Sequence, residues 1–437
     1  MRKTLCISFA LAALALTANA DRTLMVAPQG GNWSSNSTWL QGDSPTTAPA
    51  PGEYIELRAE GRSAPLIVDT DAYANSISMW GADKNIEINS GASLTVGETG
   101  MNLQNITTSI SGAGTLTALS GNLIIYGGNS NASAQISSNA IISKVTFSGN
   151  YFKDDTVSSV VFNASGSNTL TTNLQTSGNG KNDGFTVSGG KSINSVVKIT
   201  GNAKLGDITI SNNGRLVIDS DNFVMNGTYN KVEVYASVIE LVGGKSSPYS
   251  IYSKIRLNGA STLILTGDNA YTNLTNILFN SGNTNKIVVN GTTNMAGLCV
   301  YDKTSLAEKT IIIELGEVAE GQDYVLHLEH LTQEAKNASI LATDSLTKTT
   351  TSTGTASQVV EGMFVEFINF DNGKVRLDND LLTAEDWDHV KSDGWENFRL
   401  ENGYITADRI VVPEPAQCAA ILAVLALALA LRRRGSR

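Results

Sequence analysis

The chain has 437 residues, of which only 16% are charged, and its formal net charge is −10. Leaving out the six basic residues and one glutamate of the two terminal segments, the body has 25 basic against 40 acidic residues, so its acidic surface argues against a nucleic-acid partner. Two of the three cysteines, Cys6 and Cys418, lie in those segments, which excludes an intrachain disulfide framework in the body.

Residues 1–20 have the pattern of a secretory signal peptide. A basic start is followed by an apolar stretch, and Ala18 and Ala20 form a small-x-small cleavage site before Asp21. The pattern predicts export through the secretion translocon and removal of the segment by a signal peptidase. A buried N-terminal helix is the alternative, but it does not account for the cleavage site.

Residues 21–90 are predicted to form an N-terminal cap and the first turns of a β-structure. Trp33 and Trp39 precede a Pro/Gly-rich loop, and two strand-like runs follow it. This opening resembles that of autotransporter-type β-helix passengers, whose first turns cap the stack. We expect both tryptophans to pack within the cap rather than to bind sugar, because aromatic side chains mostly supply apolar burial.

Residues 91–299 contain short runs in which apolar and polar residues alternate, as strands with one buried face require. In "GDITISNNGRLVIDS" two such runs flank an Asn-Asn-Gly turn. The runs are quasi-repetitive and show no domain break, which favours a solenoid over a sandwich or barrel. We therefore predict an all-β fold, a right-handed parallel β-helix (β-solenoid), with Gly and Asn at corners that need positive φ.

Residues 300–410 are more charged and less Gly-rich, and we predict a small C-terminal α+β cap that blocks edge-to-edge pairing. Within it, "GMFVEFINFDNGKVRLDND" predicts a hairpin that turns at Asp-Asn-Gly. The Thr/Ser-rich "LTKTTTSTGTAS" predicts a mobile loop. Thr383 and Asp386 predict the capping box of a short helix, and a final strand pair follows.

The tail, residues 411–437, ends in an apolar run and a cluster of arginines. As a helix, residues 416–431 would span roughly 24 Å at about 1.5 Å per residue, slightly short of a hydrocarbon core of about 30 Å. Snorkelling arginines extend that reach, so we expect a C-terminal transmembrane helix. Arg432, Arg433 and Arg434 act as the membrane stop on the cytoplasmic side, which leaves the body outside the inner membrane.

Pro413, Glu414 and Pro415 precede the apolar run, and the two prolines keep the backbone extended there. "VPEP", an apolar helix and terminal arginines, in this order, resemble the PEP-CTERM protein-sorting domain of Gram-negative bacteria. The resemblance implies that an exosortase, a transpeptidase of the inner membrane, recognises Pro-Glu-Pro and removes or transfers the tail. It also implies an association with extracellular polysaccharide and surface export. The alternative is a plain tail anchor with coincidental prolines.

The body contains no motif that specifies a catalytic, cofactor or metal site. His327 and His330 have H-x-x-H spacing and His389 lies further along, but no HExxH or CxxC accompanies them, so we favour satisfied or exposed histidines over zinc ligands. Asp69 and Asp71 lie on one strand face, where a solvated edge is favoured over a cation site.

Other candidates also have a structural interpretation. "GNGKNDGF" lacks a nonapeptide register and is expected to be a turn. Cys299 is expected to be a buried, inert thiol. The scarcity of arginine in the middle of the body weakens a lyase interpretation. Five tyrosines could form a sugar-binding platform, but ordinary packing is the default for them: Tyr126, Tyr151, Tyr229, Tyr235 and Tyr249.

Two functions are compatible with this sequence. The first is a non-enzymatic structural or adhesive protein, exported to the surface, outer membrane or matrix of a Gram-negative bacterium, with exopolysaccharide or another glycan as its candidate partner. The second is a carbohydrate-active β-helix enzyme, a polysaccharide lyase or glycoside hydrolase, sent to the same place. An acid/base cluster in a groove would favour the enzyme, and a face lined by Thr, Ser and Asn would favour the structural protein.

Overall fold

The computed structural model describes residues 22–58, 64–80, 84–104, 107–118, 122–126, 132–148, 158–172, 184–190, 195–225, 231–244, 254–271, 276–281, 285–300, 309–333, 348–353, 356–361, 363–378, 382–410, 422–426 and 432. Short strands dominate these residues. The first twenty are β1 (Thr23–Val26), β2 (Gly31–Asn32), β3 (Trp39–Gln41), β4 (Ser44–Pro45), β5 (Glu53–Arg58), β6 (Leu66–Val68), β7 (Ala72–Trp80), β8 (Lys84–Ile88), β9 (Ser93–Gln104), β10 (Thr107–Ser111), β11 (Thr115–Ala118), β12 (Asn122–Tyr126), β13 (Ser133–Ile136), β14 (Asn139–Ile141), β15 (Lys144–Ser148), β16 (Ser159–Phe162), β17 (Leu170–Thr171), β18 (Phe185–Ser188), β19 (Val196–Ile199) and β20 (Ala203–Leu205).

The later strands continue the same pattern. They are β21 (Ile208–Ser211), β22 (Arg215–Ile218), β23 (Phe223–Met225), β24 (Val232–Tyr235), β25 (Val238–Val242), β26 (Lys254–Asn258), β27 (Thr262–Thr266), β28 (Asn269–Tyr271), β29 (Asn276–Ser281), β30 (Asn285–Asn290), β31 (Thr293–Val300), β32 (Lys309–Leu315), β33 (Leu326–Gln333), β34 (Lys348–Thr353), β35 (Ala356–Glu361), β36 (Met363–Ile368), β37 (Val375–Leu377), β38 (Val390–Lys391), β39 (Trp395–Glu401) and β40 (Tyr404–Arg409). A 3₁₀ helix, Asn36–Thr38, precedes β3, and one helical turn, α1 (Ala384–Trp387), precedes β38.

The strands build a parallel β-solenoid, which confirms the predicted all-β class. Within the described residues, the strands form one sheet of 24 strands, one of 14 strands and a separate pair. The chain passes from one large sheet to the other and back, so most strands pair in parallel with their counterparts in the adjacent turns, as β13 does with β10 and β16. The right-handed sense of the coil stays a prediction.

The core is a stack of aliphatic side chains that repeats from turn to turn. In the larger sheet Leu123, Val145, Val187 and Ile210 occupy successive register positions, and each is at most 1% exposed. Alternation along each strand points these residues inward, and parallel register places one directly over the next. Full burial of each such side chain contributes on the order of 1.5–3 kcal/mol.

The corners use the residue types that the sequence predicted. Asn212 and Asn213 connect β21 to β22 with φ of 55° and 59°, and Gly214 follows them. Asparagine enters this left-handed region more readily than other non-glycine residues, because its short polar side chain can hydrogen-bond locally. The predicted Asn-Asn-Gly turn is therefore confirmed as a corner between the two sheets.

Packed aromatic side chains close the N-terminal end. Trp33 and Trp39 are 4% and 0% exposed, and their rings meet edge to face with centroids 4.9 Å apart. The Trp39 indole Nε1–H donates to the Trp33 carbonyl at 2.8 Å. The prediction that both tryptophans pack in the interior is confirmed.

At the C-terminal end, the parallel pairing continues through β32, β33, β36, β37 and β38, and the antiparallel pair β39–β40 follows. The predicted final strand pair is thus confirmed. The predicted capping box is also present: Thr383 N–H donates to Asp386 Oδ2 at 2.8 Å, and Asp386 N–H donates to Thr383 Oγ1 at 3.4 Å.

Two sequence predictions in this region are wrong. The run around Asp371-Asn372-Gly373 is not a hairpin, because β36 pairs in parallel with β32 while β37 pairs with β33 in the other sheet. The Asp-Asn-Gly segment is a corner of the solenoid, and the strands on either side of it pair with strands of a neighbouring coil. The Thr/Ser-rich segment is not simply a loop, since β34 and β35 form an antiparallel pair outside both large sheets.

Candidate functional site

The predicted sorting and cleavage residues fall almost entirely outside the described part of the chain, so their roles stay predictions. These residues are Ala18, Ala20, Pro413, Glu414, Pro415, Arg433 and Arg434. In the tail, residues 422–426 are helical, and Arg432 is exposed. Within the described residues, no helix has both the length and the apolar character needed to cross a membrane.

The outer face of the larger sheet carries hydroxyl groups in register. Thr146, Ser188 and Ser211 occupy successive positions on β15, β18 and β21, and Thr186 pairs with Thr209 beside them. All five are half-buried by their neighbours in the stack. This stretch therefore presents the Thr/Ser surface that the sequence analysis associated with a structural protein.

Carboxylates on both outer faces contact basic residues of an adjacent turn. In the larger sheet, Arg256 Nη1 donates to Glu233 Oε1 at 3.0 Å. Tyr235 Oη donates to the other oxygen of Glu233 at 3.2 Å, and burial, followed by the Glu233 charge, raises the pKa of Tyr235. In the smaller sheet, Arg215 Nη2 donates to Glu240 Oε2 at 2.6 Å. These carboxylates are thus engaged in ion pairs between turns.

His327 is a hydrogen-bonded histidine, as the sequence analysis favoured. Its Nδ1 lies 3.0 Å from Asn294 Oδ1, which also accepts from Tyr324 Oη at 2.8 Å. Its Nε2 lies 2.9 Å from Asp378 Oδ2. Burial raises the pKa of Asp378, but the hydrogen bond and charge of His327, helped by Arg376, outweigh that effect and lower it overall.

The other two histidines lie on β33 and beside β38. His389 stacks on Phe364 with ring centroids 4.5 Å apart, and the backbone of His330 pairs with Gly297. Within the described ranges, no three His, Cys, Asp or Glu side chains come together as metal ligands. Cys299 pairs by its backbone with Thr332 on β33.

Asp69 and Asp71 hold neighbouring segments in place. Asp69 accepts from the backbone N–H and the Oγ of Ser34, at 3.1 and 2.6 Å. Burial raises the pKa of Asp69, but these bonds to Ser34, together with bonds from the Asp69 backbone and Asn32, outweigh it and lower the pKa. Asp71 accepts from Ser93 Oγ at 2.7 Å. Each carboxylate therefore binds a different serine rather than converging with the other on a shared site.

A groove near the N-terminal end of the larger sheet combines exposed aromatic and amide side chains. Trp80, Gln104 and Tyr126 occupy one register position on three successive turns, and the two rings are 43% and 36% exposed. Ser78 and Asn102 pair with each other two residues earlier on the same strands and therefore lie on the same outer face. The cavity measures about 170 Å³, and we call it the aromatic groove.

Among the described residues, Arg58 and Glu56 place charges on one side of the groove. Arg58 lies over the Trp80 ring, 5.3 Å from its centroid, and its Nε donates to Glu56 Oε2 at 2.8 Å. On the floor, Asn102 Oδ1 has no hydrogen-bond partner within the described part of the structure. Such an orphan acceptor is uncommon in folded proteins.

Trp80 is not among the functional candidates predicted from the sequence. A signal was present in "ISMW", because strand alternation that buries Ile77 and Met79 must turn Ser78 and Trp80 outward. Tyr126, which was expected to pack, is exposed at the end of β12. Tyr235 is also exposed, at 41%, but it lines a different depression together with Asn212 and Asn258.

No known protein family, curated protein or solved structure matches this chain.

Proposed function

We propose that the chain is an exported, non-enzymatic surface or extracellular-matrix protein of a Gram-negative bacterium, associated with exopolysaccharide, and that its solenoid is a rigid scaffold. The observation that carries this proposal is the in-register stacking of Thr146, Ser188 and Ser211 outside an equally regular aliphatic core. Such a stack transmits force along its length, because each turn is bonded to the next by backbone ladders. The coil is right-handed, like nearly all parallel β crossovers.

In this proposal the tail is the sorting signal that directs the chain to the cell surface. Pro413, Glu414 and Pro415 present an extended peptide before an apolar helix, and the terminal arginines keep the end of that helix in the cytoplasm. An exosortase-type transpeptidase binds the extended peptide and removes or transfers the tail. The body then reaches the cell surface or matrix after signal peptidase has cleaved behind Ala20.

The sorting step is tested with Glu414→Ala in the native cell. The unprocessed chain should accumulate in the inner membrane, because the recognition carboxylate is gone. Glu396→Ala, which removes an exposed carboxylate of the body, is the matched control and should be processed like the wild type. Mass spectrometry of the mature termini reads the result, and wild-type processing of the Glu414 variant would contradict the proposal.

Carbohydrate cleavage is the competing function. The ion pairs of two glutamates on the outer faces favour a structural protein over an enzyme. Glu233 and Glu240 contact Arg256 and Arg215 instead of facing each other across a cleft as the two acids of a glycosidase do. Incubation of the purified chain with neutral and acidic polysaccharides should release neither reducing ends nor unsaturated uronates. Release of either product, at a rate proportional to protein concentration, would establish an enzyme instead.

A further inference from the structure

We propose that the aromatic groove binds one sugar ring of an uncharged glycan chain, held between Trp80 and Tyr126. The sugar class is a pyranose with mainly equatorial hydroxyl groups, as in a β-linked glucan. Such a ring presents C–H groups on both faces and hydroxyl groups around its edge. It therefore fits a site with aromatic side chains on two sides and amides at the floor.

The spacing of the two rings suits one inserted sugar. Trp80 and Tyr126 hold the same register position with Gln104 on the turn between them. Two strand spacings separate the positions by about 10 Å. A puckered sugar ring whose carbons lie about 4 Å from the carbons of each aromatic ring would fill this separation.

Trp80 is supported on its other side. Since β5 and β9 flank β7 on opposite sides, the guanidinium of Arg58 on β5 covers the indole from that side. Arg58 is in turn held by Glu56, which its Nη2 approaches to 2.7 Å. Arg58 therefore supports one face of the Trp80 indole, and the opposite face, toward Gln104, can contact a ligand.

The floor offers a hydrogen-bond acceptor that the protein does not use. Asn102 Oδ1 has no partner among the described residues, although it is shielded from bulk water. Rotation of the Asn102 amide toward the groove would bring this oxygen to a sugar hydroxyl, and the donated hydrogen bond would remove the cost of an unpaired buried acceptor. The exposed amide of Gln104 supplies further donors and an acceptor.

The charges select an uncharged glycan. Arg58 and Glu56 neutralise each other at the edge of the groove. The body carries an excess of acidic residues, so a polyuronate chain would approach against repulsion. The inference deepens the proposed function and rests on it, because only an exported chain meets an extracellular glycan.

The test is calorimetric titration of the full-length chain, purified in mild detergent, with cellohexaose as the neutral probe and hexagalacturonate as the acidic comparison. Cellohexaose should bind measurably and hexagalacturonate more weakly. Trp80→Ala and Tyr126→Ala should each weaken cellohexaose binding about tenfold, since each removes one wall. Tyr235→Ala, which removes an equally exposed ring elsewhere on the same sheet, is the matched control and should bind like the wild type.

Circular dichroism establishes that each variant is folded, which is expected because the truncated rings are exposed. The inference is overturned if wild-type protein does not bind cellohexaose, if the groove variants bind it as the wild type does, or if hexagalacturonate binds equally well. A Glu414→Ala chain should retain full binding. Binding without tail processing therefore counts against the sorting proposal alone, and processing without binding counts against the glycan site alone.

Discussion

The Trp39 indole donates a 2.8 Å hydrogen bond to the carbonyl of Trp33 while the two rings meet edge to face. One residue thus supplies both apolar burial and the partner of a buried carbonyl at the end of the stack. Since no described strand precedes β1, the burial of this pair completes the core at the first described turn of the stack.

Trp39→Phe should weaken the N-terminal turns by about 1–2 kcal/mol, because the Trp33 carbonyl loses its buried donor. Trp39→Ala should cost about 3–5 kcal/mol through the added cavity. Amide hydrogen exchange is the measurement, since it separates local opening of β1 and β5 from opening of the distant β21. Trp80→Ala is the control, and equal protection in Trp39→Ala and Trp80→Ala would contradict the capping role.

Substitutions of Asn213 should change the free energy of unfolding according to how readily the new residue adopts positive φ. Asn213 is exposed with φ of 59°. Asn213→Gly should leave the free energy of unfolding nearly unchanged, whereas Asn213→Val should lower it by about 1–2 kcal/mol, because a β-branched residue resists positive φ. Urea unfolding compares the two variants, and equal midpoints would refute the conformational argument.

The contact of Arg256 with Glu233 should contribute to stability between turns. Both side chains are partly buried, at 25% and 15% exposure, so the pair is less screened than a surface ion pair. Arg256→Met should lower the free energy of unfolding by about 1 kcal/mol. Lys391→Met breaks a more exposed pair with Glu366 and should have a smaller effect, so the reverse ranking in urea unfolding would oppose this view.

Asp378 should stabilise the fold in a pH-dependent way. Its pKa is lower in the folded chain than the ordinary 3.8, so its contribution is present above that value and disappears as pH falls through the folded pKa. The difference in melting temperature between wild type and Asp378→Asn should therefore be positive at pH 5 and shrink below about pH 3.8. A difference that stays constant across this pH range would contradict the assignment of the effect to the contact between Asp378 and His327.

The local pattern of this chain could be read from the sequence because it depends on neighbouring residues. Alternation in "GDITISNNGRLVIDS" predicts two strands and their inward faces, and Asn-Asn-Gly predicts the corner between them. The capping box at Thr383 is equally local. Each of these features requires only the conformational preferences of a few consecutive residues.

Pairing between strands could not be read in this way. Asp371-Asn372-Gly373 has the composition of a hairpin turn, yet the strands beside it belong to different sheets. A hairpin turn and a solenoid corner use the same residues, and only the partners available in adjacent turns decide between them.

The sequence by itself determined which residues face inward, where the chain turns and which terminal segments resemble export and sorting signals. Each of these properties depends on a short stretch of consecutive residues. Only the tertiary structure decided that Trp80 and Tyr126 lie at the same register two turns apart, with Arg58 behind one ring and Asn102 below. Register depends on the length of every intervening turn, and a change of one residue would point these side chains into the opposite face of the sheet.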